Sequence, residues 1–305
     1  MEVHTQMKIE AVAAACDLGL VRDGASCGAR DLAHVLSRRW GLPCSLLEQS
    51  ETYVKEREAG HKSRNLAELQ QYTAALYSRI AEVLGRGHFP LLIGGDHSVA
   101  VSSALASQAA QGPLGLIWVD AHTDFNTLDS TETGNLHGCP LATLVGYGRT
   151  AVLRDFYAGP TFAAKNAVVV GARSIDAGEA ENLRDAGIYV YSTEELRRRG
   201  LREVLDEAYA RALDGTRGLH ISFDLDVFDP AVVPGVSVPV EAGLERAEGL
   251  AILDYILERR DLLRSFDLVE LNPLLDEPQG AGRTAELALE MLGHFLAAYG
   301  LRPEA

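Results

Sequence analysis

Short apolar runs alternate with segments of helical periodicity along this chain of 305 residues, and this alternation constrains the fold more than any other feature. The runs that we interpret as strands lie at residues 90–95, 114–119, 167–172, 188–191, 219–224 and 264–273. Strands that are separated by helices pair in parallel, because the crossover returns the chain to the same edge of the sheet. We therefore predict a three-layer α/β/α fold with a mostly parallel sheet.

The segments between these runs carry apolar residues three or four positions apart, as one face of a helix does. The clearest series is Leu66, Leu69, Tyr72, Leu76, Ile80 and Val83. Further helices are predicted at residues 98–110, 193–213, 246–257 and 283–299 and near residues 176–187. Ser192 and Thr193 stand before two glutamates, which is typical of a helix start. Since no Pro/Ser-rich linker or internal repeat divides the chain, we predict one domain over residues 1–305.

The composition excludes several classes of protein. The net charge is −15, from 43 acidic and 28 basic residues, which argues against a nucleic-acid or anionic-membrane surface. The four cysteines form no C-x-x-C pair and do not resemble a disulfide framework. The first ten residues are too polar for a signal peptide, and no apolar run approaches the roughly 20 residues of a membrane helix. We expect a reduced, cytoplasmic enzyme or binding protein.

Three of the predicted strands end in residues that can bind a metal ion. The series "GGDHS", "DAHTD" and "FDLD" close the apolar runs near residues 93, 119 and 223. In an extended segment the side chains at i and i+2 point to the same side, so these histidines and aspartates can converge on one cavity. The candidate metal ligands are His97, Asp120, His122, Asp124, Asp224 and Asp226.

Four carboxylates and two imidazoles exceed what one ion usually takes from a protein. They suit two divalent cations that share carboxylates, because the positive charges then offset the negative ones. A ligand set rich in carboxylate and free of thiolate favours Mn²⁺ over Zn²⁺. Two such cations, about 3.5–4 Å apart, are a common device for making water nucleophilic at neutral pH.

The motifs "GGDHS", "DAHTDFN", "SFDLDVFDP" and "VELNP" resemble those of the ureohydrolase family, which includes arginases and agmatinases. They extend over residues 94–273. The segments "TGNLHGCP" (residues 133–140) and "GARSIDAGE" (residues 171–179) resemble arginases in particular. The resemblance implies an arginase/deacetylase-like fold, two Mn²⁺ ions per subunit and hydrolysis of L-arginine to L-ornithine and urea. It also implies assembly into a homotrimer or homohexamer.

The resemblance also implies a role for each matching residue. One ion would be surrounded by His97, Asp120 and Asp124 with Asp224 or Asp226, and the other by His122 with Asp120, Asp224 and Asp226. His137 matches the family's proton-shuttling histidine, and Glu270 matches the carboxylate that holds the guanidinium. The residues matched to the amino-acid end of the substrate are Asn126 and Thr133, for the α-carboxylate, and Asp176 and Glu179, near the α-amino group.

Several of these residues also have a plain structural interpretation. An aspartate after a strand is usually a cap or turn residue, and we interpret Asp96 and Asp229 in this way. Asp176 and Glu179 could merely cap a helix, and Asn126 and Thr133 could serve turn chemistry. The remaining histidines lack such neighbours, and we interpret them as surface or core residues; they are His4, His34, His61, His88, His220 and His294.

One segment departs from the family pattern. In "PGVSVP" (residues 234–239), Val238 stands where a threonine is usual, and a valine cannot supply the hydroxyl expected to support the guanidinium pocket. The main alternative is therefore another ureohydrolase, acting on agmatine, guanidinobutyrate or formimidoylglutamate. A metal-dependent deacetylase is disfavoured because the chain has no adjacent histidine pair. A binding protein built on a decayed site is disfavoured because all six ligands are present.

Overall fold

The computed structural model describes residues 7–50, 55, 63–148, 150, 154–276 and 282–304. An eight-stranded sheet forms the centre of this part of the chain. The strands are β1 (Ile9–Ala15), β2 (Cys44–Glu48), β3 (Phe89–Ile93), β4 (Gly115–Val119), β5 (Ala167–Ala172), β6 (Tyr189–Ser192), β7 (Leu219–Asp224) and β8 (Leu263–Val269). The order across the sheet is β2-β1-β3-β8-β7-β4-β5-β6, and every neighbouring pair is parallel.

Helices cover both faces of the sheet, which confirms the predicted three-layer α/β/α fold. They are α1 (Ala25–Trp40), α2 (Leu66–Gly85), α3 (Ala100–Gln111), α4 (Pro140–Val145), α5 (Ala177–Ala186), α6 (Thr193–Arg199), α7 (Leu201–Ala212), α8 (Arg246–Glu258) and α9 (Arg283–Ala298). Alternate strand residues face opposite layers: Ala11 packs in one core with α1, α7, α8 and α9, whereas Val12 packs in another with α2. A third core joins α3, α4 and α5 to the other half of the sheet.

The prediction of one helix over residues 193–213 is wrong, because α6 ends at Arg199 and α7 begins at Leu201. Gly200 lies between them with φ 97° and ψ 132°, a conformation that interrupts a helix and that glycine adopts at low cost. The Ser192 side chain accepts a hydrogen bond from the Glu195 N–H, as the capping pattern predicted. Neither β1 nor β2 was predicted from the sequence, since β1 is rich in alanine and β2 is a half-exposed edge strand.

The strand order determines where the candidate ligands meet. β3, β8, β7 and β4 are neighbours at the centre of the sheet, although about a hundred residues of the chain separate β4 from β7. The loops that leave their carboxyl ends therefore emerge side by side. Both long irregular segments of the prediction, residues 125–140 and 228–243, lie at this edge; the first contains a short 3₁₀ helix, Leu136–Gly138.

Two further expectations bear on the class of protein. All four cysteines are free, and Cys16 and Cys139 are buried. Within the described ranges, no helix combines the length and the apolarity that crossing a bilayer requires.

Candidate metal centre and substrate cavity

The carboxyl ends of four neighbouring strands supply the polar side chains of the site. Asp120 follows β4, Asp224 is the last residue of β7, and Glu270 follows β8. His97 begins a 3₁₀ helix, His97–Val99, shortly after β3, and Asp96 caps that helix by accepting a hydrogen bond from the Ser98 N–H. The structural interpretation of Asp96 is thus confirmed, and its neighbour His97 points into the site.

The first group of metal-competent side chains is centred on His97. Its Nδ1 atom lies 3.0 Å from Asp120 Oδ2, 3.2 Å from Asp124 Oδ2 and 3.0 Å from Asp224 Oδ2. None of these contacts has hydrogen-bond geometry, and Nδ1 is buried without a hydrogen-bond partner. Three carboxylates and one imidazole nitrogen therefore converge on a common region, as ligands of a cation do, without bonding to one another.

The second group consists of Asp120, His122 and Asp226. The Nδ1 atom of His122 lies 3.0 Å from Asp226 Oδ2 and 3.5 Å from Asp120 Oδ1. In this group, and in the set of His97, Asp120 and Asp224, the potential ligand atoms lie within 4.8 Å of one another. Asp120 belongs to both groups through different oxygens, which is the arrangement of a carboxylate that bridges two cations.

Two side chains within the strands orient these ligands. The Trp118 indole stacks on the His97 ring, with centroids 3.9 Å apart, and its Nε1–H donates to Asp120 Oδ2 at 2.9 Å. Ser222 Oγ lies 2.9 Å from His97 Nε2, so it can hold the ring nitrogen that faces away from the group. Neither residue was predicted from the sequence. Each stands two positions before a ligand, on the same side of an extended strand, and that spacing was the available signal.

The site carries more negative than positive charge. Burial opposes the charge of His97 and His122, yet the surrounding carboxylates raise the pKa of both imidazoles. Burial and the neighbouring aspartates raise the pKa of Asp224 far above its ordinary value and that of Asp226 to about 6. The two histidines, against the effect of burial, lower the pKa of Asp120. Buried acids with raised pKa, an unpartnered Nδ1 and hard oxygen donors together fit divalent cations.

Glu270 connects the metal-competent groups to His137. Its Oε1 atom accepts a hydrogen bond from the His97 N–H at 2.9 Å and lies 3.2 Å from His137 Nδ1. Its Oε2 atom is buried without a hydrogen-bond partner. Glu270 has φ 70° and Asp124 has φ 48°, a backbone conformation that is uncommon outside glycine and that clusters at functional sites. Burial disfavours protonation of His137, but Glu270 raises its pKa nonetheless.

A cavity of about 180 Å³ opens beside the second group. It is lined by the predicted residues His122, Asp124, Asn126, Thr133, His137, Asp176 and Glu179, together with Thr131, Asn135, Gly138, Ser174 and Val238. Val238 is the one side chain of this lining that is a hydrocarbon, and 36 % of it is exposed. Thr131, Asn135 and Ser174 were not predicted, although Asn135 and Ser174 lie in the two segments, residues 133–140 and 171–179, that were singled out in the sequence.

Three of the predicted substrate residues also hold the cavity wall together. Glu179 accepts hydrogen bonds from the Phe125 N–H at 2.6 Å and the Asp176 N–H at 3.2 Å, so it does stabilise the start of α5. Burial raises the pKa of its carboxyl to about 7. Asn126 Nδ2 donates to Asp176 Oδ2 at 3.1 Å. Thr133 is exposed and accepts from the Asn135 N–H at 3.2 Å, as a turn residue does.

Comparisons with known proteins identify the family and the fold. A sequence model described as "Arginase family" matches residues 7–297. The arginase of Bacillus caldovelox is 34 % identical over 284 residues, covering 91 % of this chain and 94 % of that protein. The structure of the same arginase superposes with a TM-score of 0.82 at 31 % identity, covering 94 % of this chain and 97 % of that one. An Entamoeba histolytica arginase, solved in complex with L-ornithine, superposes with a TM-score of 0.83 at 28 % identity, covering 94 % and 98 %.

Proposed function

This chain belongs to the arginase family, and from that premise we propose that it hydrolyses the guanidinium group of L-arginine, releasing L-ornithine and urea. The observation that carries the proposal is the pair of metal-competent groups that share Asp120, beside a polar cavity that also contains His137. The family and its neighbours support a hydrolase that acts on amidine or guanidino C–N bonds.

We further propose that the site holds two Mn²⁺ ions. His97, Asp120, Asp124 and Asp224 would hold one ion, and Asp120, His122 and Asp226 the other. Carboxylate and imidazole donors without thiolate suit Mn²⁺. When bound, the cations would act as Lewis acids and lower the pKa of water so that it is nucleophilic at neutral pH.

Glu270 would orient the substrate's guanidinium. That group keeps its proton at any ordinary pH and spreads its charge, so its carbon reacts only when it is held in a favourable position. A carboxylate can bind a guanidinium through two parallel hydrogen bonds. The Oε2 atom of Glu270 is buried and unpartnered, and the His97 N–H holds Oε1, which supports this role.

His137 would deliver the proton that the departing amine needs. Its Nδ1 atom lies 3.2 Å from Glu270 Oε1, and this carboxylate raises the pKa of the imidazole against the effect of burial, which favours the protonated form that a general acid needs. General acids of this kind contribute roughly 10²–10⁴-fold to rate. Asn126, Thr133, Asp176 and Glu179 would bind the amino-acid end of the substrate, since all four line the same cavity as His137.

A panel of guanidino compounds tests the substrate. We expect the Mn²⁺-loaded protein to release urea from L-arginine much faster than from agmatine or guanidinobutyrate, and to leave formimidoylglutamate intact. Urea from agmatine but not from arginine would reject the assignment in favour of an agmatinase. Val238 is the feature that favours such an alternative, because it removes a hydroxyl from the cavity.

The remaining parts of the proposal concern the whole protein. We propose that residues 1–305 form one ureohydrolase domain, that the protein is cytoplasmic, and that it assembles as a homotrimer or homohexamer. Light scattering of the purified protein measures the assembly directly. A monomer at micromolar concentration would contradict this part of the proposal.

A further inference from the structure

We propose that Arg173 is a positioning residue, which holds the Asp120–His122–Asp226 group and the loop of Val238 in one arrangement. The inference rests on the proposed function only in so far as this group binds a cation. Arg173 does not line the substrate cavity.

The guanidinium of Arg173 bonds only to backbone carbonyls among the described residues. Nη2 donates to Asp226 O at 2.9 Å, to Phe228 O at 3.1 Å and to Val240 O at 2.8 Å. Nη1 donates to Val227 O at 3.0 Å, and Nε donates to Glu241 O at 3.0 Å. One planar group therefore joins the turn that carries a metal-competent aspartate to the end of the loop that carries Val238.

The backbone of the same residue reaches the other members of the group. The Arg173 N–H donates to Ala121 O at 2.8 Å, and the Ser174 N–H donates to the same oxygen at 3.0 Å. Ala121 lies between Asp120 and His122, and its own N–H donates to Asp226 Oδ1 at 3.2 Å. Arg173 thus forms a hydrogen bond to Asp226 itself and another to Ala121, which is the neighbour of both Asp120 and His122.

Gly243 lets the loop of Val238 approach both the Phe228–Asp229 backbone and this guanidinium closely. A Cβ atom at Gly243 would lie 2.5 Å from Arg173 Nη2 and 2.4 Å from the Asp229 nitrogen. The close approach therefore requires glycine. Lysine cannot replace Arg173, because a single ammonium group has three donors at one point, whereas the carbonyls are spread around a plane.

The test measures the affinity and the number of Mn²⁺ ions that the metal-free protein binds, by titration calorimetry and elemental analysis. In Arg173→Met we expect one of the two Mn²⁺ sites to lose about 10–100-fold in affinity, as is typical when a group that orients metal ligands is removed. The other site, centred on His97, should keep its affinity within about twofold. Arg173→Lys should show the same loss, because the positive charge is retained while the planar set of donors is not.

Arg264→Met is the matched control. Arg264 also donates to three backbone carbonyls, those of Asp261, Leu263 and Arg217, but at the opposite edge of the sheet. Its removal should lower thermal stability and leave both Mn²⁺ sites unchanged. If Arg173→Met does not fold, Arg173→Lys is judged by the same criterion.

Equal weakening of both sites, or wild-type affinity at both, overturns the inference. A wild-type protein that binds fewer than two Mn²⁺ ions overturns it as well. Because no substrate is used, these outcomes are separate from a failure of the arginine assignment, which only the substrate panel reveals.

Discussion

Two buried histidine–aspartate groups share strand β7 and differ in charge. In the middle of the sheet, His220 on β7 lies 2.7 Å from Ser265 Oγ and 3.1 Å from Asp267 Oδ2, and Ser103 donates to the same carboxylate. We call these four residues the His220 group. At the carboxyl edge, two residues beyond Ser222, the metal-competent groups combine two histidines with four aspartates.

The difference shows which buried polar group needs a ligand. The His220 group pairs one imidazole with one carboxylate and adds two hydroxyl groups, so it can be neutral as a whole. With all four carboxylates ionised and both imidazoles protonated, the charge would be 2 − 4 = −2; burying that charge is costly and raises the pKa of Asp224 and Asp226 unless cations offset it. The interpretation of His220 as a core residue is thereby confirmed, although the same residue types occur in both places.

Removing a carboxylate from the metal-competent edge should produce the largest effect. Asp124→Ala should lose at least about 100-fold in Mn²⁺ affinity and nearly all urea release, because its oxygen lies among the proposed ligands. His137→Ala should keep its Mn²⁺ and slow turnover by roughly 10²–10⁴-fold. Elemental analysis and turnover assays on both variants measure this. Equal loss of metal in the two variants would refute the division of roles.

Removal of metal should make stability depend on pH in a defined direction. The pKa of Asp226 is raised to about 6, so between about pH 4 and pH 6 the folded, metal-free protein binds more protons than the unfolded chain. Its free energy of unfolding must then fall as the pH rises through that window. The raised pKa of His97 and His122 acts in the same direction at higher pH. Asp120, with its lowered pKa, acts oppositely, but only below about pH 4.

Urea unfolding at pH 5 and pH 7.5, with chelator or with saturating Mn²⁺, measures this dependence. Mn²⁺ should reduce the loss of stability, since the ions displace the protons of the metal-competent groups, and the raised pKa of Glu179 accounts for the part that remains. If the metal-free protein is more stable at pH 7.5 than at pH 5, the metal-competent site does not carry an excess of negative charge.

Substitutions in the His220 group should change the stability of the protein and leave Mn²⁺ binding unchanged. His220→Ala leaves Asp267 buried beside Ser103 without its imidazole partner, and we expect the free energy of unfolding to fall by about 3 kcal/mol. Ser265→Ala, which removes one hydroxyl, should cost about 1 kcal/mol. Both variants should bind Mn²⁺ as the wild type does. A loss of Mn²⁺ in His220→Ala at a temperature where it is folded would mean that the two groups are coupled.

The smallest effect is expected at Val238. Val238→Thr conserves volume and adds a hydroxyl to the cavity, so one new hydrogen bond of about 1 kcal/mol should raise kcat/KM for arginine about fivefold. Val238→Ala is the control and should not raise it. An unchanged kcat/KM in Val238→Thr would indicate that the valine side chain does not face the guanidinium.

Much of the site could be predicted because its chemistry is local. Asp120, His122 and Asp124 alternate at the end of one apolar run, and Asp224 and Asp226 do so at another. Alternation places such side chains on one side, and parallel strands place their carboxyl ends at one edge. The helix break at Gly200 was missed for the opposite reason, since apolar periodicity continues through a glycine that only the backbone conformation distinguishes.

The sequence by itself determined the fold class, the residue types of the metal-competent edge and the segments that carry them. Only the tertiary structure decided that β8 and β7 separate β3 from β4, that Asp120 contacts both histidines, and that Arg173 bonds the loops around them. The physical reason is one of range. Periodicity and residue chemistry act within a few residues, whereas strand order and shared ligands depend on packing between segments that are far apart in the chain.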